Sequence, residues 1–415
     1  MLKNYISMFP AYLFAGIPFL LFTGPFLPDL ASVFLGIFFL YVIFKKKIWK
    51  YYFNSKVTGV IILLNCILIS SSLFSDYKQY SLETSLFYFR HLLFALAIFY
   101  ILKNYKKALN YFNITLYLCL LIGSIDCYIQ FISGKNIIGM TSGNVYRLGS
   151  FFGDELIIGG YLARLFPFFL AMTMDPNRDK KYKLLDKLTF ILIVGAIYLS
   201  GERTSFALCV LSIFFLLLIN FNKKFFFELI TPLLALLILL NIFFPKIYLK
   251  QIEHTKNQFI QENRLTFFSS EHESLYKSAF KMFLDKPLLG QGPRTYRLLC
   301  DQDNFSAKKD YAQSCSTHPH NIYFQLLAEA GLIFFLIILF IFFFISYLLI
   351  RMITNRSKDE NDKKEKINYF YLVAIFVNLF PIIPSGNFFN NWLNILYYLP
   401  IGFLFYGFSN KLFAK

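Results

Sequence analysis

Apolar residues recur along this chain in blocks about as long as a bilayer is thick, and short charged turns separate the blocks. A helix crossing the hydrocarbon core needs roughly 20 residues, and in lipid its backbone groups must be satisfied within the segment. The pattern predicts an all-α polytopic membrane protein of about twelve transmembrane helices. The expected spans are 10–24, 29–44, 57–74, 85–102, 110–131, 153–174, 188–200, 203–220, 225–244, 323–350, 367–384 and 391–410. The seventh is short, the tenth is long, and Pro18, Arg164 and Pro167 interrupt the first and sixth. A soluble fold is excluded by composition. Of the 415 residues 57% are hydrophobic, with 54 Phe and 28 Tyr, and only 16% are charged against about 25% in a soluble domain.

Charge placement sets an orientation. Lys45, Lys46, Lys47, Lys50 and Lys56 lie in one connection, and Lys103, Lys106 and Lys107 in the next but one. Arg178, Lys180, Lys181, Lys183 and Lys187 follow on the same side, then Lys223 and Lys224, then Arg351 to Lys366. With the termini, that side collects 24 of the 41 basic residues, whereas 24–28, 200–202 and 385–391 contain none. By the positive-inside rule both termini are cytoplasmic and the span number is even. The net charge of +17 is then mostly a topology signal, and nucleic acid is not the expected partner. The N-terminus reads as the first mature helix rather than a cleavable signal. Without a P-loop or glycine-rich nucleotide motif, an ATP-driven pump within this one chain is ruled out.

One outward connection breaks the pattern. The expected division is 1–244 for spans one to nine, 245–319 for a large outward loop, and 320–415 for spans ten to twelve. A loop of that size needs structure of its own. Apolar residues at helical spacing predict a helix over Arg264–Leu284, stopped by Pro287, and Leu289–Pro293 reads as a flexible glycine turn. Four of the five histidines lie in or just after the loop: His254, His272, His318 and His320. Cys300 and Cys315 share the outward face, so an oxidising exterior predicts a disulfide between them; two unpaired thiols remain the alternative. Cys66, Cys119, Cys127 and Cys209 fall in apolar spans, as packing residues do.

The candidate chemistry clusters on that outward side. The helix of span ten is expected from about His320 or Asn321. It places an imidazole at the membrane boundary, with an ordinary pKa suited to accepting a proton. A histidine that only caps the helix or marks the interface is the bland alternative, and a metal site from His318 and His320 lacks further ligands at suitable spacing. Arg203, in Ser200–Ser205, opens the eighth span, and Arg264 sits in the loop. A guanidinium at a helix start is a good clamp for phosphate oxygens, although a salt bridge to Glu202 or Glu262 would explain either arginine. Arg294, Arg297, His318 and Asn321 are further candidate substrate contacts, as is the Asp301/Asp303 pair. Arg90, Asp126 and Arg164 lie in or near spans, where charge faces the protein interior or a wet cavity. Arg164 is a candidate contact or a partner for Asp154 or Glu155, and Glu329 a candidate anchor for Arg203 or a neighbouring helix.

Taken together, 201–205 (GERTS), Asn263-Arg264-Leu265, 287–293 (PLLGQGP), His320-Asn321 and Glu329-Ala330-Gly331 resemble, in order, spacing and sidedness, the O-antigen ligase and polymerase family of bacterial inner-membrane glycosyltransferases. The resemblance covers nearly the whole chain. A second glycine common in that family after the histidine is replaced here by Phe334 and Phe335. The resemblance implies a periplasmic site and an undecaprenyl diphosphate-linked glycan donor, with no cofactor and no metal. It places the essential histidine at His320 and the essential arginines at Arg203 and Arg264. It further implies transfer to the lipid A core oligosaccharide, and a single in-line displacement by the acceptor hydroxyl would invert the anomeric carbon. Polymerisation of lipid-linked chains within the same family is the alternative. A transporter of lipid-linked sugars is the rival from another class, and it predicts internal symmetry and a mid-membrane site rather than residues gathered at one face.

Overall fold

The computed structural model describes residues 2–142, 147–219, 223–245, 256, 260–261, 264–265, 268–307, 315–354 and 363–413. Its longer helices are α1 (Leu2–Ala15), α2 (Phe26–Lys45), α3 (Lys56–Leu73), α4 (Lys78–Ser85), α5 (Arg90–Asn104), α6 (Ala108–Ser133) and α7 (Ile158–Thr173). They continue as α8 (Lys183–Leu199), α9 (Arg203–Ile219), α10 (Lys223–Phe243), α11 (Ser270–Asp285), α12 (Ile322–Thr354), α13 (Lys363–Asn378) and α14 (Asn391–Gly407). Among the described residues the architecture is helical, with one pair of two-residue strands.

Each of the twelve expected segments contains helix. Six stretches among the described residues are long and apolar enough to cross a membrane: Phe26–Lys45, Lys56–Leu73, Lys78–Asn104, Ala108–Ser133, Phe226–Phe243 and Ile322–Thr354. Ile158–Thr173 and Arg203–Ile219 are shorter apolar helices. The expected count of twelve is not established, since the helices in the other six segments are each shorter than 18 residues. The first segment divides at Gly16, with Pro18 in the short helix Ile17–Leu20 that follows. α13 stops at Asn378, short of Pro381 and Pro384, which have no N–H to continue it.

Helices that are apolar all round belong in the middle of a bundle. His91–Leu102 of α5 and Ile158–Met172 of α7 are buried on every side, and α14 is buried over nearly its whole length. α5 packs on α2 and α14, while α7 packs on α9 and α13. At the α5–α14 crossing a side chain on Gly402 would lie 2.6 Å from Ile98 Cβ, a close approach only a small residue permits. The outer helices α2 and α12 present Phe34, Ile37, Phe340 and Phe343 outward, as a lipid-facing surface requires. Two of the expected charges within the spans serve as internal ties. Arg90 grips Asp29 at 3.0 Å and Asn391 at 2.9 Å, and the buried Asp126 accepts the Ile137 N–H and the Ser150 hydroxyl.

In the loop, the helix expected over Arg264–Leu284 begins only at Ser270. Arg264 and Leu265 instead pair antiparallel with Gln261 and Ile260. Ser269 is the reason for the late start: its side chain accepts the His272 N–H, and Glu271 and Glu273 complement the first turn. α11 ends at Asp285 because Lys286, preceding Pro287, is kept out of the helical region, at φ −129° and ψ 75°. The disulfide Cys300–Cys315 is formed.

The 287–293 stretch, expected to be a flexible turn, is seated across a break in α12. Gly331 has φ +77° and ψ −179°, which splits the helix into a short outer piece and a long inner one. The loop backbone fills the break. Leu332 N–H donates to Pro287 O at 2.8 Å, Gln291 N–H to Ala328 O at 2.9 Å and Gly292 N–H to Glu329 O at 2.9 Å. A Cβ on Gly290 would lie 2.5 Å from the Glu329 carbonyl carbon, and one on Gly331 would run into the Leu288 carbonyl. Ser71 and Ser75 of the α3 end hydrogen-bond the same junction from the other side. The Glu329 carboxylate accepts the Tyr296 N–H at 2.7 Å and the Gln325 side chain at 2.8 Å. It therefore anchors the loop and not Arg203, one of the partners expected for it.

Candidate functional site

Three imidazoles meet where the loop returns to α12. His318 and His320 rings lie 4.2 Å apart, and His272 from the first turn of α11 meets His320 edge-on at 5.9 Å between ring centres. Residue 320 takes φ +55°, in the left-handed region that costs an ordinary side chain about 1 kcal/mol. Ser385 holds the turn. Its N–H donates to His320 O at 2.8 Å, its carbonyl accepts from His318 Nε2 at 3.2 Å, and its hydroxyl accepts the Ile322 N–H at 2.9 Å. The helix begins at Ile322, later than expected, because Asn321 caps it. The Asn321 side-chain oxygen accepts the Tyr323 and Phe324 N–H groups, and its amide donates to Pro381 O at 2.8 Å.

The two histidines of the motif have different occupations. The Ser385 carbonyl can only accept, so His318 carries its proton on Nε2. Its Nδ1 then accepts from the Thr317 hydroxyl at 2.9 Å. Both His318 nitrogens are committed in the neutral ring, which leaves no lone pair for a metal. Burial, then the neighbouring His320 charge, lowers its pKa to about 4. His320 is half-buried, and its nearest hydrogen-bond partner is the Ser316 hydroxyl, at 3.4 Å from Nε2. Burial, then His272, lowers its pKa below the ordinary value, against the opposite pull of Glu271. The ring is neutral at pH 7 and can take up a proton. His272 is likewise lowered by burial and by Arg203, while its Nδ1 is 2.7 Å from the Ser269 hydroxyl.

The arginines approach from two sides. Arg203 starts α9 and is near enough for its charge to act on His272. Arg147 adds a second guanidinium there, donating to Leu156 O at 2.7 Å and lying 3.9 Å from Glu202. Glu202 does not serve Arg203 as a simple salt bridge. Its oxygens accept the Gly159 N–H and the Ser205 hydroxyl, both at 2.8 Å, and burial raises its pKa. Arg164 is buried in α7, donates to Gly160 O at 3.4 Å and feels the Glu202 charge. The pairing expected with Asp154 or Glu155 is not formed; both are exposed, and Glu202 is the carboxylate beside it. Arg297 reaches the histidine side electrostatically, and its buried Nε has no hydrogen-bond partner. Arg294 lies over the Tyr80 ring at 5.6 Å. Asp301 and Asp303 are exposed. The Arg264 side chain falls outside the described residues, as do His254 and Glu262.

The fold thus brings His272, His318, His320, Arg203 and Arg297 to one end of the bundle. Asn321 is spent on capping, and Arg294 is turned toward Tyr80. Sequence reasoning did not single out His272, Ser385 or Arg147. His272 had a visible signal as one of several histidines in an outward loop. Ser385 and Arg147 had none, because contacts across long sequence separations leave no local pattern. Among the described residues no group of three or more His, Cys, Asp or Glu is arranged to hold a metal ion.

Residues 188–339 match the family model described as O-Antigen ligase. The match runs from α8 through the loop and across the Gly331 break, and it includes Arg203, Arg264, Arg297, His318 and His320. No curated protein matches the chain. The apolar helices and the match to this family together point to a membrane protein.

Proposed function

We propose that this chain, carrying an O-antigen ligase domain over residues 188–339, moves a glycan from a polyprenyl diphosphate carrier to a hydroxyl of the lipid A core oligosaccharide at the periplasmic face of the bacterial inner membrane. The observation that carries the reading is the position of a loosely bonded, neutral imidazole, His320, beside His272 and the cationic field of Arg203. His320 takes the proton of the acceptor hydroxyl as its oxygen attacks the anomeric carbon. The bond from that carbon to the diphosphate oxygen breaks, and polyprenyl diphosphate departs with the electron pair. Arg203 and Arg264 hold the diphosphate and stabilise the charge it gains. The single displacement inverts the anomeric carbon. Diphosphate is already a good leaving group, so positioning and charge are the main contributions required of the protein.

The test is transfer by the purified, detergent-solubilised protein from an undecaprenyl diphosphate glycan to lipid A core, with chelator present. The His320→Ala variant and donor alone run in parallel. Labelled lipid A core, absent with the variant, is the expected result. Elongation of donor alone would assign a polymerase, and full activity of His320→Ala would overturn the assigned base.

A further inference from the structure

At the end of the bundle away from the histidines, a cavity of about 200 Å³ opens between α7, α8, α9 and α10. Its wall is apolar: Phe169, Leu170, Phe190, Leu216 and Leu229. Its rim is charged and comes from the α7–α8 connection and the first turns of α8. Most of the rim charges are already matched. Arg178 forks onto Asp186 with both contacts at 2.5 Å and lies against the Tyr117 and Tyr182 rings. Lys187 meets Glu228, and Lys181 meets Asp179 at 3.0 Å. Asp175 accepts the Asn177 N–H at 2.9 Å. Lys180 and Lys183 are left, exposed at the rim and without an ion pair among the described residues.

We propose that this cavity binds one anionic phospholipid, its phosphate between Lys180 and Lys183 and an acyl chain along Phe190, Leu216 and Leu229. The lining carries Arg178, Lys180, Lys183 and Lys187 against Asp175, Asp179 and Asp186, an excess of one positive charge. A single phosphate monoanion completes it. The level in the membrane agrees. Leu184, Leu185 and Leu188 are exposed on the same turns of α8 as the lysines, so hydrocarbon ends and charge begins there. Basic pockets between transmembrane helices suit phospholipid headgroups for this reason. A soluble phosphate would satisfy the lysines but leave the apolar wall unused, which favours lipid as the source.

The experiment uses the full chain, delipidated in detergent, with retention of added lipid read by native mass spectrometry and the unfolding temperature in parallel. Phosphatidylglycerol is expected to be retained at one copy and to raise the unfolding temperature, and phosphatidylcholine to do neither. At roughly five-fold per lysine, Lys180→Gln with Lys183→Gln weakens phosphatidylglycerol retention by about thirty-fold. Lys180→Arg with Lys183→Arg keeps it, which separates charge from folding. Equal retention of the two lipids, unchanged retention by the Gln pair, or an equal stabilisation by inorganic phosphate would each overturn the proposal.

Discussion

The junction of the loop with α12 contains two neighbouring constructions that use the same few turns of chain in opposite ways. The crossing of Pro287–Gly292 over Gly331 is saturated: backbone donors meet backbone acceptors, and the space beside each glycine is filled. The turn at 316–321 is not. His320 sits at an unfavourable φ, its ring is loosely held, and the nearby Arg297, whose charge reaches His318, has a buried Nε without a hydrogen-bond partner. A filled junction cannot accept a ligand and can only fix geometry. A turn with polar capacity in hand can bind one. The crossing is therefore the mount, and the histidine turn is what it holds.

The comparison is broken most directly by removing the imidazole. His320→Ala is expected to lower transfer by about 10²–10⁴-fold, the usual contribution of a general base, with little change in unfolding temperature. His320→Gly is the sharper form. It also relieves the left-handed strain, so stability should rise by some tenths of a kcal/mol to about 1 kcal/mol while activity stays lost. A fall in stability as large as that in activity would mean that the imidazole is a strut. At the mount the pattern reverses. Gly331→Ala brings a Cβ onto the Leu288 carbonyl at φ +77°, which should destabilise the protein by roughly 3 kcal/mol through strain and overpacking together. Transfer should then fall only as far as the folded fraction does, as thermal unfolding and activity measured on the same samples would reveal.

What could be read in the sequence divides along the same line. Helical segments, the disulfide and the gathering of His318, His320 and Arg203 toward one end follow from periodicity, sidedness and residue type, all of which are local. The seating of 287–293 in the α12 break was not readable, because glycines that permit flexibility and glycines that permit close contact look alike until the partner surface is known. The late start of α11 depended on a single cap, Ser269, which outweighed the apolar spacing that ran on toward Arg264. His318 and His320 looked alike for a similar reason. Only the Ser385 carbonyl, 67 positions away, distinguishes the bonded ring from the open one.

The disulfide tests whether the mount extends to the far side of the loop. Cys300 is buried against α11, in one cluster with Leu275, Ala279 and Met282. Replacing both cysteines by serine frees a loop of 15 residues and should cost at most about 3 kcal/mol by the chain-entropy account. The loss should appear in unfolding and leave KM nearly unchanged if the crossing alone positions the histidines. A raised KM with intact stability would place the disulfide within the histidine turn's own support.

The smallest effect is a pH dependence that separates His318 from His320. The His318 pKa is held at about 4 in the folded chain, below an ordinary value near 6.5. Protonation therefore favours the unfolded state. The stability tied to this ring is complete above pH 6.5 and is lost as pH falls from there toward 4, at most about 3 kcal/mol in all. His318→Gln keeps a donor for the Ser385 carbonyl and does not titrate, so its unfolding temperature should vary less across that window than the parent's. His320 titrates below its ordinary value too, but under the proposed role as base its protonation should remove activity from protein that is still folded. Transfer per folded molecule should thus fall on acidification in both the parent and His318→Gln. If His318→Gln abolished that acid limb instead, the proton acceptor would be the bonded ring, and the division between mount and turn would have to be redrawn.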